Sequence, residues 1–357
     1  MRKDIAVLEG DGIGPEVIKE AIKVLEIISK NTKIKFNYML GLVGASAIDK
    51  TGNPFPEETK KICKASDAIL FGAIGDPKYD NDPKAKVRPE DGLLEMRKFL
   101  GLYANIRPVK TYQSIIKSSP LKEEIVKDVD FIVYRELTGG IYFGDKGFKD
   151  NGDTAYDTCS YTRREIKRIS SLAFQEAIKR KCKLTLVDKA NVLSTSRLWR
   201  EVVQDLSRNN FPEVSVDYLF VDNAAMKIIT NPSDFGIILT ENMFGDIITD
   251  EASVITGSLG MLPSASVGSN ISLFEPIHGS YPQAVGKNIA NPMAMILSAG
   301  MMLNFSFNMN REEKTIKRAV NDALNEGVVT QDLNNHKYYK TNEVGDWISK
   351  RVDDLSN

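Results

Sequence analysis

At 357 residues, with 42% hydrophobic and 27% charged side chains and a formal charge of −1, the chain has the makeup of a soluble globular protein of two domains. A net charge so near zero argues against a nucleic-acid or membrane-surface partner recruited by charge. The opening Met1–Leu8 is too short an apolar run for a signal peptide, and the longest apolar stretch, around Met293 to Phe307, is interrupted by Ser and Asn and falls short of a membrane span. Cysteines 63, 159 and 182 lie far apart without metal-site spacing, so a reducing cytoplasm and no structural disulfide are expected.

Residues 4–9 predict a short strand that ends in Gly10-Asp-Gly-Ile-Gly-Pro15. An amphipathic helix follows, with Val17, Ile18, Ala21, Ile22, Leu25 and Ile28 on one stripe. Glycines stand at 10, 12 and 14, and Pro15 takes the place of the last glycine of a dinucleotide fingerprint, so a standard Rossmann site is not expected. A tight turn with proline in the first helical turn accounts for the pattern. Phe36 to Leu40 predicts a second strand, 56–65 a helix, and Ala68 to Gly75 a buried strand. The polar loop from Asp76 to Glu90 is long enough to be functional. A helix over 92–100, strands over 102–109 and 130–136, and an irregular or β-arm insertion from Gly139 to Tyr161 come next. Such an arm suits an interface better than a core. Alternation then resumes with helix 162–180, strand 183–188, helix 196–209, strand 214–221, helix 223–230, strand 235–239 and helix 242–254. Gly257 to Gly260 reads as a hinge, Glu275 to Pro292 as a long ordered loop, and helices near 293–307, 312–326 and 343–355 finish the chain. The class is α/β with a largely parallel sheet, and ligands are expected beyond the strand carboxyl ends.

The helix predicted after Thr240 carries Asp246 and Asp250 one turn apart, which stacks both carboxylates on one face about 6 Å apart at Cβ. Like charges so close call for a lysine or a hard divalent cation, Mg²⁺ or Mn²⁺, between them. The same spacing also suits a solvated acidic face that includes Glu251. Arg97, Arg107 and Arg135 sit at element ends or on a helix face, where guanidinium forks match carboxylates. Lys189 and Asp222 each follow a predicted strand, and a lysine beside carboxylates and a cation can act as a base. Tyr142 is either a proton donor or a packed aromatic, and His278 lies in a glycine-flanked loop where its ring can stack on a purine.

Taken together, Gly10-Asp-Gly-Ile-Gly-Pro-Glu16, Gly92-Leu-Leu-Glu-Met-Arg-Lys98, Tyr103-Ala-Asn-Ile-Arg-Pro108, Tyr134-Arg-Glu-Leu-Thr-Gly-Gly-Ile-Tyr-Phe-Gly144, Asp188-Lys-Ala-Asn-Val-Leu193, Val221-Asp-Asn-Ala-Ala-Met226, Glu241-Asn-Met-Phe-Gly-Asp246 and Glu275-Pro-Ile-His-Gly-Ser280 resemble the β-hydroxyacid oxidative decarboxylases, the isocitrate/isopropylmalate dehydrogenase family, over nearly the whole chain. The resemblance implies that family's fold, with a cofactor domain at 1–102 plus 257–357, and a substrate, metal and dimerisation domain at 103–256 that carries the arm at 139–161. It implies that Arg97, Arg107 and Arg135 hold substrate carboxylates, and that Asp246 and Asp250 share a Mg²⁺ or Mn²⁺ with Asp222 of a second copy in a homodimer. Lys189 from that copy would help remove the hydroxyl proton, and Tyr142 would protonate the enolate. Ile13, Pro77, Glu90, His278, Gly279, Ser280, Tyr281, Gln283 and Asn291 would hold NAD.

The implied reaction is oxidative decarboxylation of a 2-hydroxy diacid: hydride leaves C2 for NAD⁺, CO₂ follows, and the enolate is reprotonated. Leu93, Leu94 and Val192 would line an apolar pocket for the isopropyl group of 3-isopropylmalate, the step in leucine biosynthesis. Isocitrate-using relatives carry Ser and Asn where this chain has Asp91 and Leu93, which leaves a third carboxylate without a polar partner. Gln283 replaces the aspartate of most NAD-using relatives, yet offers no positive charge for a 2′-phosphate, so NAD⁺ remains the expectation. The alternatives are a D-malate, tartrate, isocitrate or homoisocitrate dehydrogenase and, outside catalysis, a cation- or acid-binding protein on the same fold.

Overall fold

In the computed structural model, which describes residues 1–81 and 86–356, the strands run in chain order as β1 (Arg2–Gly10), β2 (Lys35–Leu40), β3 (Ala68–Ala73), β4 (Leu102–Lys110), β5 (Asp130–Glu136), β6 (Lys146–Lys149), β7 (Thr154–Asp157), β8 (Leu184–Asp188), β9 (Val216–Phe220), β10 (Ile237–Thr240), β11 (Pro263–Gly268) and β12 (Ser272–Pro276). The chain divides into two compact units, Met1–Leu102 with Gly257–Asn357, and Tyr103–Thr256.

In the first unit the strand order is β2-β1-β3-β12-β11. β1 pairs in parallel with β2 and β3, and β3 with β12, while β11 and β12 form an antiparallel hairpin. β3 is buried at every residue, which is why its sequence is a continuous apolar run and not an alternating one. Helix Gly14–Asn31 turns Val17, Ile18, Ala21, Val24, Leu25 and Ile28 inward, and Pro15 occupies its first turn as expected. Helix Met293–Phe307 packs on β11 and β12 and is buried from Met293 to Leu303, so it is apolar all round because it is enclosed. Among the described residues, no helix is long and apolar enough to cross a membrane.

In the second unit the order is β4-β5-β10-β8-β9, with β5, β10, β8 and β9 parallel and β4 antiparallel to β5. Val109, Phe131, Val133, Ile238, Ile248 and Ile255 belong to its core. The irregular arm contains a 3₁₀ turn, Gly140–Tyr142, and then the antiparallel ribbon of β6 and β7, which a second 3₁₀ turn, Asp150–Gly152, connects. The ribbon's Phe148 is 76% exposed.

The largest departure from the sequence reading is the hairpin at β11 and β12, a segment left without strands. Its residues Ser264, Ala265, Ser266 and Gly268 have loop-like propensity, and tertiary partners override it. The Ser264 N–H donates to Ser298 Oγ, and Ser266 donates to Glu275. Helix Ala45–Thr51 and the short helix Pro77–Asp80 were also unforeseen. The second lies in the predicted 76–90 loop, of which residues 82–85 fall outside the described residues. β9 ends the strand row of its unit and is half-buried throughout.

Candidate active site

Helix Asn242–Ser253 begins where β10 ends, with Glu241 as its cap: the carboxylate accepts the Phe244 N–H at 2.7 Å. A side chain at Gly245 would place its Cβ 2.5 Å from the Arg135 stem, so the missing side chain is what lets Arg135, at the end of β5, lie against the helix. Residues 242, 246, 249 and 250 share the face that Arg135 meets. Arg135, 2% exposed, donates from NH1 to Asp246 Oδ1 at 2.5 Å. Tyr142 donates to the other oxygen, Asp246 Oδ2, at 2.8 Å. Arg107 reaches the same face from β4, donating from NH1 to Thr249 Oγ1 and from Nε to Asn105 Oδ1, each at 2.5 Å. Its terminal nitrogens stand 3.9 Å from Asp246 and 3.8 Å from Asp250.

The predicted residues Arg107, Arg135, Tyr142, Asp246 and Asp250 are thus brought together within the second unit. Burial raises the pKa of Asp250; Arg107 opposes the shift and the neighbouring Asp246 adds to it. Burial, and then the hydrogen bond to Asp246, push the Tyr142 phenol up to about 12. Two hard carboxylates one turn apart, with their like charge offset by guanidinium groups on one side only, are a donor set suited to Mg²⁺ or Mn²⁺.

Lys189 and Asp222 form a separate pair in the same unit. Lys189 follows β8, Asp222 lies in the first turn of helix Val221–Thr230, and Nζ donates to Oδ1 at 2.5 Å. That contact holds the Asp222 carboxyl below its usual value. Within one chain, Asp222 does not join Asp246 and Asp250: among the described residues no group of three or more His, Cys, Asp or Glu side chains is arranged to hold an ion.

Arg97 is buried in helix Pro89–Leu100 of the first unit, with NH2 at 3.9 Å from Glu275. On the same helix Leu93 packs against the core of that unit, Leu94 is half-buried, and Asp91 caps the helix by accepting the Arg88 N–H. Val192, in the loop after β8, is 61% exposed.

The first unit also contains a cavity of about 650 Å³ lined by Ile13, His278, Gly279, Tyr281 and Asn291. The sequence reading missed Ser258, Gln331, Asp332 and Asn335 on its wall. Burial lowers the pKa of His278, and its Nε2 is shut off from solvent with no partner. An apolar cavity with a neutral ring and an unmatched polar atom fits a nucleoside. Pro77, Glu90, Ser280 and Gln283 lie outside the lining: Pro77 and Gln283 are exposed, and the Ser280 carbonyl accepts the Ile13 N–H at 2.9 Å. A Cβ on Gly75 would lie 3.0 Å from Glu90 and 3.6 Å from Ser280 Oγ, which puts Glu90 beside that loop.

Asn105, Asn242 and Thr249 were missed as well, although a signal existed. Asn105 is two residues before Arg107, on the same strand face, and Asn242 is four before Asp246, on the same helix face.

A family model described as isocitrate/isopropylmalate dehydrogenase matches residues 4–348. A 3-isopropylmalate dehydrogenase of Bacteroides fragilis is 54% identical over 346 residues, spanning 96% of this chain and 97% of its own. One from Aquifex aeolicus is 52% identical, over 99% and 98% of the two chains. Among solved structures, isocitrate dehydrogenase from Methylococcus capsulatus superposes with a TM-score of 0.88 at 30% identity, covering 98% of this chain and 99% of that one.

Proposed function

Because the chain belongs to the isocitrate/isopropylmalate dehydrogenase family, we propose that it oxidatively decarboxylates (2R,3S)-3-isopropylmalate to 4-methyl-2-oxopentanoate and CO₂ with NAD⁺, as a cytoplasmic step of leucine biosynthesis. The observation that carries this reading is the meeting of Arg107, Arg135 and Tyr142 with Asp246 and Asp250 on one helix face. Guanidinium forks, a phenol and paired carboxylates are the groups that a 2-hydroxy diacid, its enolate and a divalent ion require.

In this reading Arg97, Arg107 and Arg135 bind the two carboxylates and fix the substrate's orientation. Asp246 and Asp250 hold a Mg²⁺ or Mn²⁺, completed by Asp222 of a partner subunit. When bound, the ion lowers the cost of negative charge on the substrate oxygen during both oxidation and loss of CO₂. Ile13, His278, Gly279, Ser280, Tyr281, Gln283 and Asn291 would hold the adenosine end of NAD⁺, with Pro77 and Glu90 toward its nicotinamide, and the cofactor would supply the hydride acceptor. Lys189 of the partner subunit, paired with Asp222 of the partner subunit, assists removal of the C2 hydroxyl proton. Tyr142 remains protonated at neutral pH and delivers its proton to carbon, with Asp246 orienting the hydroxyl. Leu93, Leu94 and Val192 supply the apolar surface for the isopropyl group.

Sharing of sites between two subunits is supported by exposed apolar side chains on the paired helices Val221–Thr230 and Asn242–Ser253: Met226 at 61% and Ile247 at 58%. Large exposed apolar residues beside Asp222 suit a second copy better than water. The test is a screen of 2-hydroxy diacids with Mn²⁺ and either NAD⁺ or NADP⁺, reading reduced cofactor and CO₂ together. Equimolar NADH and CO₂ from 3-isopropylmalate, abolished by a chelator, is the expected result. Reduced cofactor without CO₂, preference for NADP⁺, or faster turnover of D-malate, tartrate or isocitrate would refute the assignment in the corresponding part.

A further inference from the structure

We propose that Asn242 is the positioning residue that sets the plane of Arg135, and that the Tyr161 hydroxyl locks Asn242 to the base of the β6–β7 arm. The inference rests on the reading of Arg135 as a substrate-carboxylate clamp.

Asn242 is 1% exposed and engaged at four polar atoms. Its Oδ1 accepts from Arg135 Nε at 3.2 Å and from NH2 at 2.9 Å, and its carbonyl oxygen accepts from the same Nε at 2.9 Å. Its Nδ2 donates to the Gly139 carbonyl at 3.1 Å, and its backbone N–H donates to Tyr161 Oη at 2.9 Å. Arginine has five N–H donors in a planar fork. With one edge of the fork closed on Asn242 and NH1 on Asp246, the guanidinium can rotate no further, and its outer donors keep a single direction. A buried long side chain is otherwise free to choose among several rotamers, and that freedom is lost each time a ligand binds. Asparagine suits the task better than aspartate. It offers the same acceptor oxygen without a charge that would neutralise Arg135 and repel both Asp246 and an incoming carboxylate.

Tyr161 anchors the other side. Its hydroxyl donates to Glu241 Oε2 at 3.0 Å, and its ring packs edge-on against Trp199. A Cβ on Gly139 would stand 2.7 Å from the ring, and one on Gly140, where φ is +76°, 2.3 Å from the hydroxyl. The Gly139-Gly140 pair is therefore what admits the phenol. Two residues later the same segment delivers Tyr142 to Asp246, so the clamp and the proton donor hang from one hydrogen-bonded network.

The experiment compares Asn242→Ala, Tyr161→Phe, Arg135→Ala and the Asn242→Ala/Arg135→Ala double variant by steady-state kinetics, with crystal structures of the unliganded wild type and Asn242→Ala. The expected result is a rise of about tenfold or more in KM for 3-isopropylmalate in Asn242→Ala, the scale of a lost hydrogen bond to a charged group. KM for NAD⁺ should stay unchanged, Arg135 should leave its rotamer, and the double variant should be no worse than Arg135→Ala alone. Tyr161→Phe, which keeps the ring, should shift the same constant in the same direction by a smaller factor. Additive losses, an unchanged KM with Arg135 in place, or equal deterioration of both KM values would overturn the proposal. If the wild type turns over no 2-hydroxy diacid, the functional reading falls, and the crystal comparison alone decides whether Asn242 holds Arg135.

Discussion

Tyr142 donates its phenolic proton to Asp246 across 2.8 Å. The group proposed to protonate the enolate therefore rests on the carboxylate proposed to hold the cation, and the two functions are coupled through one hydrogen bond. Asp246 draws on Arg135 as well, so its two oxygens are both oriented. An oriented carboxylate pays less reorganisation on binding an ion than one that swings freely.

Replacing Tyr142 by Phe removes the proton and keeps the packing. We expect kcat to fall by about 10²–10⁴, the range for loss of a general acid, with little change in KM for the diacid. Because the phenol is pushed up to about 12, it stays neutral across the working range. The raised value also means that this group favours the folded state below about pH 10, the ordinary tyrosine value, and that the contribution is lost as pH rises through the folded value. An alkaline fall in kcat near pH 8 that disappears in Tyr142→Phe would contradict the raised titration, and an unchanged kcat in Tyr142→Phe would contradict the assignment.

Asp250→Asn removes one of two like charges a turn apart and one hard oxygen ligand. Mn²⁺ affinity, measured by calorimetry in the absence of substrate, should drop by at least about tenfold. The melting temperature without cation should hold or rise slightly, since like charges at that spacing are worth a few tenths of a kcal/mol against the helix. A weaker fold together with unchanged Mn²⁺ affinity would mark the carboxylate as structural.

Leu93 and Leu94 are adjacent in sequence and both half-buried, and Leu93 touches the first unit's core. Leu93→Ala should therefore lower stability by about 1–3 kcal/mol, less than the roughly 2–5 kcal/mol for a fully buried leucine because it is half-buried. Leu94→Ser should leave the melting temperature close to that of the wild type while kcat/KM for 3-isopropylmalate falls about 10–100-fold and that for D-malate changes little. Equal losses on both substrates would remove Leu94 from the specificity pocket.

His278 titrates below the ordinary histidine value because burial disfavours its charged form. The unfolded chain then binds this proton more readily than the folded one. Stability from this group is complete above about pH 6.5 and is lost as pH falls through the lower folded value. Urea unfolding at descending pH should show that loss, and His278→Gln should flatten it. KM for NAD⁺ should be level from pH 6.5 upward in the wild type.

How much of this was legible beforehand depends on the range of the forces involved. Arg135, Asp246 and Asp250 were readable as candidates because each sits at an element end or at a helical spacing, which are local patterns, whereas the part given to Tyr142 came from the family resemblance. The strand-helix alternation was readable for the same reason: β3 is apolar over its whole length and β8 nearly so, and both are buried at every residue. The β11–β12 hairpin was not, since its Ser and Gly residues become strand only through partners such as Ser298, thirty-four positions from Ser264.

By itself, then, the order of residues determined the alternating strands and helices other than the β11–β12 hairpin, which of their side chains face inward, and which charged groups stand at the strand ends. Those follow from steric preference and burial within a few turns of chain. Only the tertiary structure decided what each charged group touches. Arg135 meets Asn242 across 107 positions and Tyr161 meets Glu241 across 80. A hydrogen bond needs its atoms within about 3 Å, a condition that no local periodicity expresses and that the packing of β5, β10 and the helix after β10 imposes.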